Sequence, residues 1–167
     1  MWKGLRKIFV LCAVFAPLSA HALTVENFKE AGGAASFSFG YFEVQNVSSQ
    51  NGVLTLPLEK GQYKNIKILS KDLYKAMSAC FTSCVLTKAN DLKKPSYKMG
   101  EIRTTGKTVI ADIVFDDELA VTFLVSRYAR EGKEVVKANR PSDFVFNDKD
   151  FEKEVKDYIK NEVYKQN

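Results

Sequence analysis

The clearest periodicity lies in the second half of the chain. Apolar and polar positions alternate there in four successive stretches, residues 97–103, 108–115, 119–128 and 133–138. In the third, Leu119, Val121, Phe123 and Val125 share one face, while Thr122, Ser126 and Tyr128 lie on the other. A period of two is the mark of a strand, whose successive side chains point to opposite sides. The links at 104–107, 116–118 and 129–132 are short and polar. Links of that length join only antiparallel neighbours, so the pattern predicts a four-stranded meander.

The first half carries a weaker extended signal. From Phe37 onward, Phe42 and Val44 alternate with Glu43 and Gln45, and Asn51-Gly52 follows as a hairpin turn because both residues tolerate positive φ. The return strand aligns Leu54, Leu56 and Leu58. Pro57 within it lacks a backbone donor, which assigns this strand to a sheet edge. Residues 66–69 predict one more short strand.

Helical spacing occurs three times. Thr24 is placed to cap a short helix through Ala31, with Gly32-Gly33 as its stop. Ser70 is placed to cap a second, over 70–84, whose apolar stripe is Leu73, Met77, Cys80, Phe81 and Cys84. Asn147 or Asp148 caps the third. Its stripe is Phe151, Val155, Tyr158 and Ile159, and Asp148, Asp150 and Glu152 crowd the positive end of the helix dipole. The sum is an α+β fold: an antiparallel sheet, made of an N-terminal hairpin plus the meander, packed with a central helix and a C-terminal amphipathic helix. A helix over 70–84 followed by a four-stranded meander resembles the order of elements in cystatin-like folds. That likeness is one of topology and implies no function.

Residues 1–22 have a different pattern. Lys3, Arg6 and Lys7 precede an apolar run over 8–16, Pro17 breaks it, and Ala20-His21-Ala22 supplies the small-x-small site that signal peptidase accepts. The run is far shorter than the roughly 20 residues that span a bilayer as a helix. We read a secretory signal peptide over 1–22, cleaved after Ala22, and a single domain over 23–167. The expected location is periplasmic or secreted, with no membrane span left after cleavage.

Loss of the leader changes the chemistry available. It removes His21, the only histidine, and Trp2, the only tryptophan. It also lowers the formal charge from +5 to +2, because three basic residues leave and no acidic one does. A nucleic-acid binder would carry a much larger clustered excess, so none is expected as partner. The local exception is Lys88, Lys93, Lys94, Lys98, Arg103 and Lys107, which read as a solvated strand edge or as a surface for an anionic envelope polymer.

Without histidine, neither a Ser-His-Asp nor a Cys-His arrangement can be assembled, and two cysteines alone are too few for structural zinc. We expect no cofactor, no metal and no catalytic residue. Carboxylates cluster at Asp116, Asp117 and Glu118 and again at Asp148 and Asp150, but these positions read as a turn and a helix cap. Cys80 and Cys84 remain after cleavage, and export favours a disulfide. On a regular helix, positions i and i+4 are too far apart for an unstrained bridge, so a bridge requires the helix to end near Phe81. The last candidate is aromatic density at Phe37, Phe39, Tyr41 and Phe42. On one strand Phe42 faces away from the other three, which would leave one aromatic face for a ligand, peptide or partner sheet.

The reading that follows is an exported, non-enzymatic binding or envelope-assembly module that holds an apolar ligand, peptide or protein partner. The alternatives are a carboxylate-based hydrolase of an envelope polymer and a self-associating structural envelope protein.

Overall fold

The computed structural model describes residues 23–57, 65–106, 108–131 and 133–165. The leader with Ala20 and Ala22, and Leu58 and Lys107, lie outside the described residues. Ten strands and two helices follow in the order β1 (Asn27–Ala31), β2 (Ala34–Ser38), β3 (Phe42–Gln50), β4 (Val53–Thr55), β5 (Ile66–Ile68), α1 (Lys71–Cys80), β6 (Tyr97–Thr105), β7 (Thr108–Phe115), β8 (Leu119–Arg130), β9 (Lys133–Asn139), β10 (Phe144–Phe146) and α2 (Lys149–Lys165). The fold is α+β and every strand pair is antiparallel.

The strands divide between two sheets. One runs β1-β2-β3-β10, with β4 also paired to β3, and the other runs β5-β8-β7-β6, with β9 also paired to β8. The cystatin-like order is not confirmed by this division. The meander of β6, β7, β8 and β9 has the boundaries its alternation predicts, within two residues at each end.

Three local readings need correction. Residues 27–31 form strand β1, not a helix, because Gly32 and Gly33 take φ of 63° and 82°. Two successive positive φ values make the two-residue turn of a hairpin, and Ala31 pairs with Ala34 across it. The second correction concerns Phe37, Phe39, Tyr41 and Phe42, which do not share one strand. Gly40, at φ 81°, turns the chain between β2 and β3, with the Phe39 N–H donating to the Phe42 carbonyl at 2.9 Å. The positive φ is what favours glycine there; a Cβ at Gly40 would also come within 2.8 Å of Leu92 Cδ1, the end of a side chain that can shift aside. Third, α1 ends at Cys80 rather than at 84, and β4 ends at Thr55, before Pro57.

The two sheets and α2 share one core. Phe42 of β3 lies 4.9 Å from Phe115 of β7 and 5.0 Å from Phe144 of β10, centroid to centroid, and Phe115 stacks on Phe144 at 5.7 Å. Asp148 Oδ1 accepts from the Phe151 N–H at 2.8 Å to start α2, which buries Phe151, Val155, Ile159 and Val163. Ser70 Oγ accepts from the Asp72 and Leu73 N–H groups and starts α1, which buries Leu73, Met77 and Cys80.

Tyr97 ties β6 to α2. Its hydroxyl donates to Glu154 Oε1 at 2.8 Å, and its ring lies edge-on to those of Phe151 and Tyr158. Burial, then the Glu154 carboxylate, push the phenol up to about 12. Lys94, which is hydrogen-bonded to Glu154, and then Tyr97 hold that carboxylate below its ordinary range. The unfolded chain ionises Tyr97 near the ordinary phenol value of 10.0, before the folded one does, so folding stability falls as pH rises from 10 to about 12. Phenolate absorbance should show a late component near 12 that Tyr97→Phe removes. Titration of every tyrosine near 10 in the folded protein would contradict this.

Candidate functional site

A concavity lies where β4 of one sheet and β5 of the other face each other. β3 turns at Asn51 (φ 51°) and Gly52 (φ 77°) into β4, which pairs with β3 on one side only. β5 pairs with the start of β8, Ile66 against Val121 and Ile68 against Leu119. Between them lies a groove of ≈ 550 Å³ lined by Leu54, Thr55, Leu56, Ile66, Lys67, Ile68, Leu69 and Tyr74. A shallower hollow over Ile68, Leu69, Ser70, Lys71, Tyr74 and Lys75 continues it along α1.

The backbone of β5 gives the groove its chemistry. Thr122 N–H donates to the Asn65 carbonyl and Leu69 N–H to the Glu118 carbonyl, each at 2.7 Å. Residues 65, 67 and 69 therefore turn their amides toward β8. By the alternation of an antiparallel ladder, Ile66 and Ile68 turn theirs the other way, to the open side. Among the described residues no strand pairs with that side. The facing edge of β4 is treated differently: the Leu54 N–H donates to the Tyr74 hydroxyl at 3.1 Å. Thus Tyr74 of α1 takes an amide of β4, while among the described residues no strand takes the outer amides of β5.

A polar cluster sits beside this groove on the outer face of the second sheet. Asp112, 5% exposed in the middle of β7, accepts from Thr122 Oγ1 at 2.6 Å and from Lys67 Nζ at 3.1 Å, and Arg103 Nη2 stands 3.9 Å away. Asp112 is opposite Thr122 in the ladder, and Lys67 is opposite Ala120. The alanine leaves room for the lysine to cross β8 diagonally to the aspartate. The cluster therefore anchors β5, one wall of the groove, to the centre of the sheet. A lone aspartate in the apolar run Val109 to Phe115 was the available sequence signal, since a buried carboxylate requires partners.

The sequence-derived candidates are distributed as follows. Phe37, Phe39 and Phe42 are buried, and Tyr41, half-buried, meets Phe151 at 5.3 Å. The turn at Gly40 resets the alternation, so all three phenylalanines point into the core and offer no free aromatic face. Cys80 and Cys84 form a disulfide, and α1 ends at Cys80 as a bridge requires. The acidic turn does not converge. Asp116 Oδ1 accepts from the Ser96 N–H and hydroxyl, Asp117 pairs with Lys98, and Glu118 accepts from Leu23 N. Asp148 is the α2 cap. Three members of the basic stretch are paired, Lys94 with Glu154, Lys98 with Asp117 and Arg103 with Glu101 and Asp112. Among the described residues no group of His, Cys, Asp and Glu is arranged to hold a metal, and no helix is long and apolar enough to cross a membrane.

No family model matches the chain, and searches of curated proteins and of solved structures likewise find no match.

Proposed function

We propose that this chain is an exported binding module that holds an extended apolar segment of a partner protein in the groove, as an added strand along β5. The observation that carries the reading is the outward-turned amide of half-buried Ile68, which no described strand takes, above an apolar floor. An incoming strand finds main-chain hydrogen bonds there, and alternate side chains find Leu54, Leu56 and Ile68. Lys71 and Lys75 border the outer end, which favours a segment with acidic residues beyond its apolar stretch. The secretory pattern of residues 1–22 supports a location outside the cytoplasm, where extended chains pass before they fold.

The test is fluorescence polarisation with a ten-residue peptide that alternates valine and threonine and ends in two aspartates. Leu69 is exposed, so Leu69→Arg crowds the groove without opening the core. This substitution should weaken binding by about tenfold, equivalent to about 1.4 kcal/mol, and leave the melting temperature unchanged. Absence of saturable binding, or equal binding by Leu69→Arg, would refute the reading.

A further inference from the structure

The backbone nitrogen of Leu23 lies 2.5 Å from Glu118 Oε2, across 95 residues of sequence. The leucine side chain is buried, with 7% exposed, and the next turns of chain are fastened too. The Val25 carbonyl accepts from the Thr87 N–H at 2.8 Å, and the Glu26 N–H donates to the Ser38 carbonyl at 2.8 Å. Glu118 is equally fixed. Its N–H donates to the Phe115 carbonyl, and its carbonyl accepts from Leu69 and Ser70. Its acidic neighbours Asp116 and Asp117 have their own partners, Ser96 and Lys98. Among the described residues no lysine or arginine forms an ion pair with Glu118, so the hydrogen-bonding partner of its carboxylate is Leu23.

We propose that Glu118 is a receptor for the new N-terminus, and that removal of the leader completes the fold by creating its counter-ion. Hydrolysis of the Ala22–Leu23 bond consumes one water, breaks the C–N bond, and leaves a carboxylate on Ala22 and an α-amino group on Leu23. That amine is protonated at neutral pH. Before cleavage Glu118 meets a neutral amide N–H, and afterwards it meets an ammonium with a full charge and further donors. The same atoms then form an ion pair with charge-assisted hydrogen bonds, which are about twice as strong as neutral ones. The contact between Leu23 and the Glu118 turn is in this way strengthened in the processed chain. The Glu118 carbonyl anchors Leu69 at the groove, but the inference concerns its carboxylate, which meets Leu23, and stands whether or not the groove binds a peptide.

The experiment begins with the full-length gene expressed in an exporting host and intact-mass analysis of the product. A start at Leu23 is expected, and any other start overturns the proposal. The product is then compared with the same protein acetylated selectively at its α-amine, in urea unfolding. Acetylation should lower the folded-to-unfolded ratio about tenfold, and should have little further effect in Glu118→Gln. An equal acetylation effect in both proteins, or none in either, overturns the proposal. A product carrying one extra glycine before Leu23 provides a check that leaves Glu118 intact. It keeps the positive charge but moves it about 3.8 Å along the chain, and it should lose as much stability as the acetylated protein. Full stability in the glycine-extended chain overturns the proposal.

Discussion

Replacing Phe42 by alanine is expected to lower the free energy of unfolding by about 3–5 kcal/mol. The ring has no exposed surface and sits where both sheets meet, against Phe39 at 5.4 Å, Phe115 at 4.9 Å and Phe144 at 5.0 Å. Those neighbours belong to two different strands, β7 and β10, and to the turn before β3, so the space left behind cannot close by a local shift. Phe37→Ala should behave similarly, because Phe37 is also fully buried and packs on Phe28 and Phe81. Tyr41→Ala should cost less, since Tyr41 is half-buried and mainly loses its contact with Phe151. Urea unfolding of the three variants decides the matter. A loss below about 1 kcal/mol for Phe42 would place its ring at a surface and reopen the aromatic face as a binding site.

What was readable in the sequence follows a physical division. The meander strands were legible because their alternation is local and their links too short for any other connection. The helix over 149–165 was legible from Asp148 and the spacing of Phe151, Val155 and Ile159. Gly32-Gly33 was ambiguous because positive φ serves a helix stop and a hairpin turn equally well. Only the pairing of Asn27 with Ser38 and of Phe28 with Phe37 separates the two. Gly40 was hidden among aromatics, and one missed turn moved Phe42 from the opposite face onto the same core as Phe37. β10 was missed for a different reason. It has three residues, and what holds it is pairing with β3, Phe146 on Phe42, about a hundred positions away. The split into two sheets rests on such distant pairings and leaves no local trace. Pro57 marked an edge near the groove, but the groove itself exists because β4 and β5 join different sheets. Sequence spacing does not encode that choice.

Lys67→Met is expected to destabilise the protein by about 2–4 kcal/mol, and more than Asp112→Asn does. The two ends of this ion pair are unequally placed. The lysine side chain is 36% exposed and, if its partner is lost, can turn its ammonium into water. The Asp112 side chain is 7% exposed and cannot leave the sheet, so loss of Lys67 leaves a buried carboxylate with the Thr122 hydroxyl at 2.6 Å and Arg103 no closer than 3.9 Å. An asparagine at 112 keeps the bond to Thr122 and carries no charge to be stranded. The double variant Lys67→Met/Asp112→Asn should therefore be more stable than Lys67→Met alone, with a coupling of about 1–2 kcal/mol in a double-mutant cycle. Because Lys67 lies in β5, the single variant should also loosen the strand that forms the groove wall. Hydrogen exchange at Lys67 and Leu69, whose amides point to β8, should then quicken before that of β7. Equal losses for the two single variants, or additivity in the double, would mean that Asp112 is held by its ladder and by Thr122 alone and that Lys67 is a surface residue.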